Sequence, residues 1–251
     1  PAALIDGLGE SLLEIDFIGK KYLAGRSQPV NFIAFSLRKP RKLKYFARIE
    51  SETADEVIKH CQVFFERFEK PAVVKLDNGF AFAGSGPWPR TLNSVVLYLL
   101  GEQVIPVFTA PRKPWNQASV EGANSIFARK FWHRYHFRSL EHIDTELVRF
   151  NEAYRDYLSY KHPRKSYRRS KRFVARVFFI RKVYEHPQPQ RGYIDVVKEH
   201  IPLPKAYIGL FMLAEWNLKK EKLFVYLEQN QKPTLLKTVP FVLNKAVKAK
   251  V

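Results

Sequence analysis

AlaValValLysLeuAspAsnGly, residues 72–79, is the stretch on which the reading of this chain turns. Its first five residues are too few for a helix and apolar enough for a short buried strand, and AspAsnGly closes that strand with a turn. A helix comes just before it. From Thr53, an N-cap with Glu56 three residues on, the apolar residues Val57, Ile58, Cys61, Phe64, Phe65 and Phe68 recur at helical spacing. Upstream, residues 11–50 read as strands: SerLeuLeuGluIleAspPheIle, ProValAsnPheIleAlaPheSerLeu and LysLeuLysTyrPheAlaArgIle are apolar, β-branched and aromatic, with turn-like breaks between them. Downstream, a Gly/Pro-rich loop at 79–90 leads to a helix near 91–101 and the strand ValIleProValPhe at 104–108. ProArgLysProTrp then makes a rigid approach to a helix beginning near Asn116, and an amphipathic helix spans about 139–159. Three strands, helix, strand, helix, strand and two helices make a mixed α/β domain ending near residue 160, its later strands parallel.

Beyond that point the composition changes. Residues 161–182 hold ten Lys or Arg and no Asp or Glu. Phe173, Val174, Val177, Phe178, Phe179 and Ile180 are too apolar for a free tail, so 161–190 reads as a basic connector, helical in part, that docks on a surface. From Gly192 onward short strand-like runs alternate with turns, the spacing of a small β-barrel over 191–251.

Charge dominates the composition. Forty-three Lys and Arg against 24 Asp and Glu give +19 and point to a polyanionic partner, with nucleic acid the default through counterion release. The single cysteine, Cys61, excludes an internal disulfide and a Cys-based zinc site, and it fits a reducing cytosol. The longest apolar runs, such as ValValLeuTyrLeuLeu at 95–100, fall far short of a membrane span, and the opening residues lack a signal-peptide pattern. The chain opens on proline, so it is expected to be a piece of a longer protein.

Three carboxylates stand where a carboxylate needs a reason. Asp16 lies mid-strand, where aspartate is depleted and its burial is costly; Glu14, two residues back on the same face, competes with it. Asp77 ends a buried strand, and the carboxyl ends of strands in open α/β sheets are where ligands bind. Glu121 falls one turn into a helix and shares a face with Gln117, Asn124, Ser125 and Ala128. Taken singly, each has a plainer reading: an edge residue, a turn, a solvated helix face.

GluIleAspPheIleGly, LysLeuAspAsnGly and ProTrpAsnGlnAlaSerValGlu together resemble the Asp–Asp–Glu core of the retroviral-integrase-like transposases of bacterial insertion sequences. The specific parts are AspAsnGly at 77–79 and the Pro-x-Asn-x-x-x-Val-Glu run at 114–121; ArgLysPheTrp and AsnGluAlaTyrArg at 151–155 also look like that family. The resemblance covers roughly 10–165 and, more loosely, the β-rich tail. It implies an RNase H-like mixed sheet flanked by helices, a basic connector and a small barrel. The 43 residues between Asp77 and Glu121 exceed the retroviral spacing, and neither a helix-turn-helix nor a His-His-Cys-Cys zinc module is among these residues.

Carried over by position, Asp16, Asp77 and Glu121 would be catalytic and hold two Mg²⁺ ions, with Mn²⁺ a substitute, because oxygen-only ligands favour hard cations. Asp16 would bridge, while Asp77 and Glu121 would each complete one shell. The resemblance implies that water frees a 3′-hydroxyl at an element end and that this hydroxyl joins target DNA, with no covalent enzyme–DNA intermediate. It also implies a homodimer or larger assembly on DNA, in the bacterial cytoplasm and associated with the nucleoid. Arg112, Lys113, Asn116, Arg129 and Lys130 flank the site in sequence as candidate DNA contacts, and Arg168, Arg169, Lys171 and Arg172 do so from the basic run. Asn78 and Asn116 read as caps, with orienting the carboxylates or DNA as their other role, and Trp115 and Trp132 read as packing anchors. Two further readings use the same residues: an RNase H-like nuclease without strand transfer, and an inactive DNA-binding relative.

Overall fold

The computed structural model describes residues 2–39, 41–83, 88–111, 118–161, 175–185, 191–230 and 232–244. The chain divides into two compact units: a first made of Glu10–Lys75 and Pro114–Arg168, and a second made of Pro1–Gly9, Leu76–Lys113 and Arg169–Val251.

The first unit is built on strands β1 (Leu12–Lys21), β2 (Val30–Lys39) and β3 (Leu43–Ile49), each antiparallel to the next. Strand β4 (Val73–Leu76) lies parallel to β1 on its other side, with Glu14 opposite Lys75. The order β3-β2-β1-β4, with only β2 reversed, is the RNase H-like arrangement. Two helical layers cover this sheet. On one face lies α2 (Ala54–Arg67), which starts where Thr53 Oγ1 accepts from the Glu56 amide. It buries Val57, Cys61, Phe64 and Phe65, and Phe64 stacks on Phe35 at 5.1 Å. On the opposite face Ile18, Val30, Phe32, Ala34 and Phe46 meet Ala123 and Phe127 of α5 (Ala118–Phe127), Phe131 of the π-helical turn Ala128–Trp132, and Ile143 and Leu147 of α6 (Leu140–Tyr157). Asn151 ties α6 to β3, accepting from the Phe46 amide and donating to its carbonyl at 3.0 and 2.8 Å. Trp132 packs edge-on to Phe32, the anchor role expected of it.

The strands of the second unit also run in mixed directions. Strand β5 (Ile105–Phe108) runs parallel to β6 (Arg176–Lys182), and β10 (Phe211–Asn217), β11 (Lys222–Gln229) and β12 (Lys232–Pro240) follow as antiparallel neighbours. Strands β7 (Tyr184–Glu185), β8 (Arg191–Val196) and β9 (Glu199–Pro204) form a separate antiparallel sheet. The strands expected after Gly192 are thus present, arranged as two sheets. Helix α4 (Ser94–Gly101), capped by Asn93, buries Val95, Val96, Leu99 and Leu100 in this unit, and the short α1 (Ala2–Asp6) and α3 (Phe80–Ala83) belong to it as well.

The stretch expected to be a basic connector reads differently here. Residues 176–182 form β6, with Val177, Phe178, Phe179 and Ile180 buried, and are neither linker nor helix. An unbroken ValPhePheIle run is the pattern of a strand covered on both faces, and it outweighs the flanking charge. Residues 162–174, with Arg168, Arg169, Lys171 and Arg172, lie outside the described residues. Among the described residues no helix is long and apolar enough to cross a membrane.

Candidate functional site

In the first unit, Asp16 faces α5. It lies opposite Ala34, which in turn lies opposite Phe46, so its side chain belongs to the face that the helix covers. Two alanines, Ala34 and Ala123, occupy this seam at 0% exposure, and such small side chains let helix and sheet approach closely. The result is a contact between residues 108 apart: Asn124 Nδ2 lies 3.4 Å from Asp16 Oδ2, while Asp16 Oδ1 accepts from the Phe17 amide at 2.9 Å. Among the described residues Asn124 Oδ1 is buried without a hydrogen-bond partner, an acceptor in need of a donor or a cation. Glu121, three residues before Asn124, lies in the first turn of α5 and is exposed. A carboxylate there is favoured by the helix dipole.

Glu14 is different. It is fully buried, and its Oε1 accepts from Lys75 Nζ at 3.2 Å and from Arg38 Nη1 at 3.1 Å. Its charge is matched within the unit, so of the two strand carboxylates it is the structural one. Lys44, opposite Ser36 on the same ladder, brings its ammonium to within 3.9 Å of a side chain built at Gly122. Burial pulls the Lys44 pKa down, and nearby Glu14 opposes that shift.

In the second unit, Asp77 follows the last residue of β4, at the carboxyl end expected from the sequence. Its Oδ1 accepts from the Gly79 amide at 2.8 Å, the turn that Asp and Asn side chains form with a backbone N–H two residues on. A Cβ at Gly79 would stand 2.9 Å from that same oxygen, so only glycine leaves the carboxylate its place. Burial pushes the Asp77 pKa above the ordinary carboxylate value, partly offset by the Gly79 amide. Asn78, read as a cap, turns its side chain inward: Nδ2 donates to the Thr109 carbonyl at 2.6 Å, and Oδ1 accepts from Arg181 Nη2 at 2.9 Å.

The oxygen-only donors and the orphaned Asn124 acceptor suit a hard divalent ion in their chemistry. Among the described residues, no three His, Cys, Asp or Glu side chains are gathered closely enough to hold one. Asp16 and Glu121 belong to the first unit, Asp77 to the second.

Of the candidate DNA contacts, Arg129 and Lys130 are described and exposed, both on the π-helical turn after α5. Lys130 lies over the Tyr157 ring at 5.8 Å, in a groove of about 340 Å³ that Arg134, Arg149, Tyr135 and Tyr154 also line. Arg112, Lys113 and Asn116 lie outside the described residues, as does Trp115. Two functional candidates went unread in the sequence. Asn124 was only a neighbour on the Glu121 face, and its placement against Asp16 needed the helix docked. Arg181 was one charge among ten.

No protein-family model and no curated protein matches the chain. Among solved structures, the simian T-cell lymphotropic virus intasome in complex with PP2A regulatory subunit B56 gamma superposes at TM-score 0.49 with 12% identity, over 93% of this chain and 77% of that one. The catalytic core domain of BIV integrase superposes at 0.41 with 17% identity, over 57% and 85% of the respective chains. That of HTLV-2 integrase, in complex with magnesium, gives 0.42 and 14%, over 56% and 84%. These superpositions are loose; Asp16, Asp77, Glu121 and their partners carry the functional reading instead.

Proposed function

We propose that this chain is the catalytic portion of a metal-dependent DNA transposase or integrase, with Asp16, Asp77 and Glu121 as its metal ligands. The observation that carries the reading is the meeting of Asp16 with Asn124, which docks the Glu121-bearing helix on the strand carboxylate from which it is separated by most of the domain. A fold held together by Ala34, Ala123 and Phe127 alone would have no use for a half-buried aspartate and, among the described residues, an unpartnered amide oxygen at that seam.

Mg²⁺, or Mn²⁺ in its place, would supply Lewis-acid activation of the attacking oxygen and stabilise the leaving oxygen in displacement at phosphorus. The chain's own residues do the rest. Asn124 orients Asp16, Gly79 shapes Asp77, and Glu121 is exposed in the first turn of α5. Phosphates are held by the basic surface, including Arg129 and Lys130, and the reaction takes place on paired DNA ends in a homodimer or larger assembly. Bacterial cytoplasm, at the nucleoid, is the proposed setting.

The test is a change of ligand softness. Asp16→Cys is expected to lose DNA nicking in Mg²⁺ by more than the roughly 10–100-fold typical of removing an outer-shell partner, and to recover part of it in thiophilic Mn²⁺ or Cd²⁺. Wild-type nicking by Asp16→Cys in Mg²⁺ would sink the assignment.

A further inference from the structure

Strand β6 carries a cation where none is expected. Arg181 lies between β5 and β10 in the second unit, 7% exposed, and a guanidinium there is costly unless each donor finds an acceptor. It finds four. Nε donates to the Asp195 carbonyl at 2.8 Å, Nη1 to the carbonyls of Thr109 and Ile180 at 3.0 and 2.8 Å, and Nη2 to Asn78 Oδ1 at 2.9 Å. The plane rests over Phe179, 5.1 Å from its centroid, and Phe179 stacks in turn on Phe108. Burial lowers the pKa to about 10, which leaves the group charged at neutral pH.

The direction of these bonds carries the argument. Asn78 donates to the same Thr109 carbonyl that accepts from Arg181, so the three residues close a ring of hydrogen bonds. Thr109 also donates its amide and hydroxyl to the Leu76 carbonyl, at 3.0 and 3.3 Å. Leu76 and Asn78 are the two neighbours of Asp77. Both flanks of the candidate ligand are therefore tied to Thr109, and Arg181 is the rigid fork that locks Asn78 to it. A side chain kept only for packing would be apolar, since replacing a buried charge by a hydrophobe of similar volume is often neutral or stabilising. A lysine could not reproduce the fork, because its ammonium is a point charge on a flexible stem.

We propose that Arg181 is a positioning residue for Asp77: through Asn78 and Thr109 it sets the AspAsnGly turn so that the carboxylate is held ready for a divalent ion. The proposal rests on the reading of Asp77 as a metal ligand. It makes strand β6, through Arg181, part of what shapes the site.

The test is Mn²⁺ binding by the full chain, followed by electron paramagnetic resonance of the free ion, with thermal midpoints measured alongside. Arg181→Lys keeps the charge and Asn78→Ala cuts the same link from its other end. Each is expected to weaken Mn²⁺ binding by about 10-fold or more, the usual effect of losing a partner that orients a ligand. Trp216→Phe, which removes a buried bond to the Phe241 carbonyl far along β10, is the stability control: it lowers the midpoint and leaves Mn²⁺ affinity unchanged. Asp77→Asn separates the two claims. If Asp77→Asn weakens binding while Arg181→Lys and Asn78→Ala bind as wild type, the positioning role is wrong and the metal reading stands. If Asp77→Asn binds as wild type, the metal reading fails and takes the proposal with it. Equal weakening by Trp216→Phe would reduce the role of Arg181 to stability. Should Arg181→Lys not fold, Asn78→Ala decides alone.

Discussion

Asp77 carries a charge that its surroundings oppose. Burial raises its pKa, so the native chain binds the proton more tightly than the unfolded chain does. Ionised Asp77 therefore costs stability in full above its raised pKa, and the cost fades as pH falls through that value toward the ordinary carboxylate range. Asp77→Asn is expected to raise the metal-free thermal midpoint at neutral pH, with the advantage shrinking on acidification; a midpoint lower than wild type at neutral pH would contradict this. Such a gain on removal is the mark of a residue kept for function. Glu14 should behave in the opposite way. Glu14→Gln takes a buried carboxylate from both Lys75 and Arg38 and is expected to cost about 3 kcal/mol or more in denaturant unfolding, where a loss below about 1 kcal/mol would show the ion pair to be dispensable. In sequence Glu14 and Asp16 had looked like rivals for one role, because what sets Glu14 apart is the cations that β2 and β4 supply. Asp16, Asp77 and Glu121 are proposed from their flanking residues. Arg181 could not be, since a run of basic residues does not say which one turns inward.

Helix α5 sits where it does because Ala123 fits against Ala34 and Phe46. Ala123→Leu would overfill that seam, at about 1–3 kcal/mol, and shift the segment that bears Glu121 and Asn124. Activity is expected to fall further than stability alone explains, which a rate measured well below the melting transition would reveal; full activity there would show that the seam does not set the site. The helices were the most legible elements. Thr53 and Glu56 marked the start of α2 and its apolar spacing marked the buried face, because capping and periodicity are local. Strand β6 was misread because charge drew the eye from ValPhePheIle, and its neighbours β5 and β10 are remote in sequence. Asn151 had only a family likeness to recommend it, and its paired bonds to Phe46 emerge once α6 packs on β3.

The molecule as a whole is a strong polycation, at +19, and that much needs no structure. Binding to duplex DNA of unrelated sequence is expected to weaken about a thousandfold or more between roughly 50 and 200 mM salt, as counterion release requires for several phosphate contacts. Fluorescence anisotropy would measure it, and a flat salt response would remove the polyanion argument. Which basic residues make those contacts is not written in net charge, since the fold buries Arg181 and leaves Arg129 and Lys130 outside. The proposed chemistry is tested most directly by incubating the protein with Mg²⁺ or Mn²⁺, a labelled oligonucleotide pre-cut at a candidate element end, and a plasmid target, with Asp77→Asn beside it. Joined product that disappears in the variant and in chelator is the expected result. DNA binding with wild type and variant equally inert under every metal would contradict the assignment of this chain as a strand transferase, and nicking without joining would convert it to a nuclease.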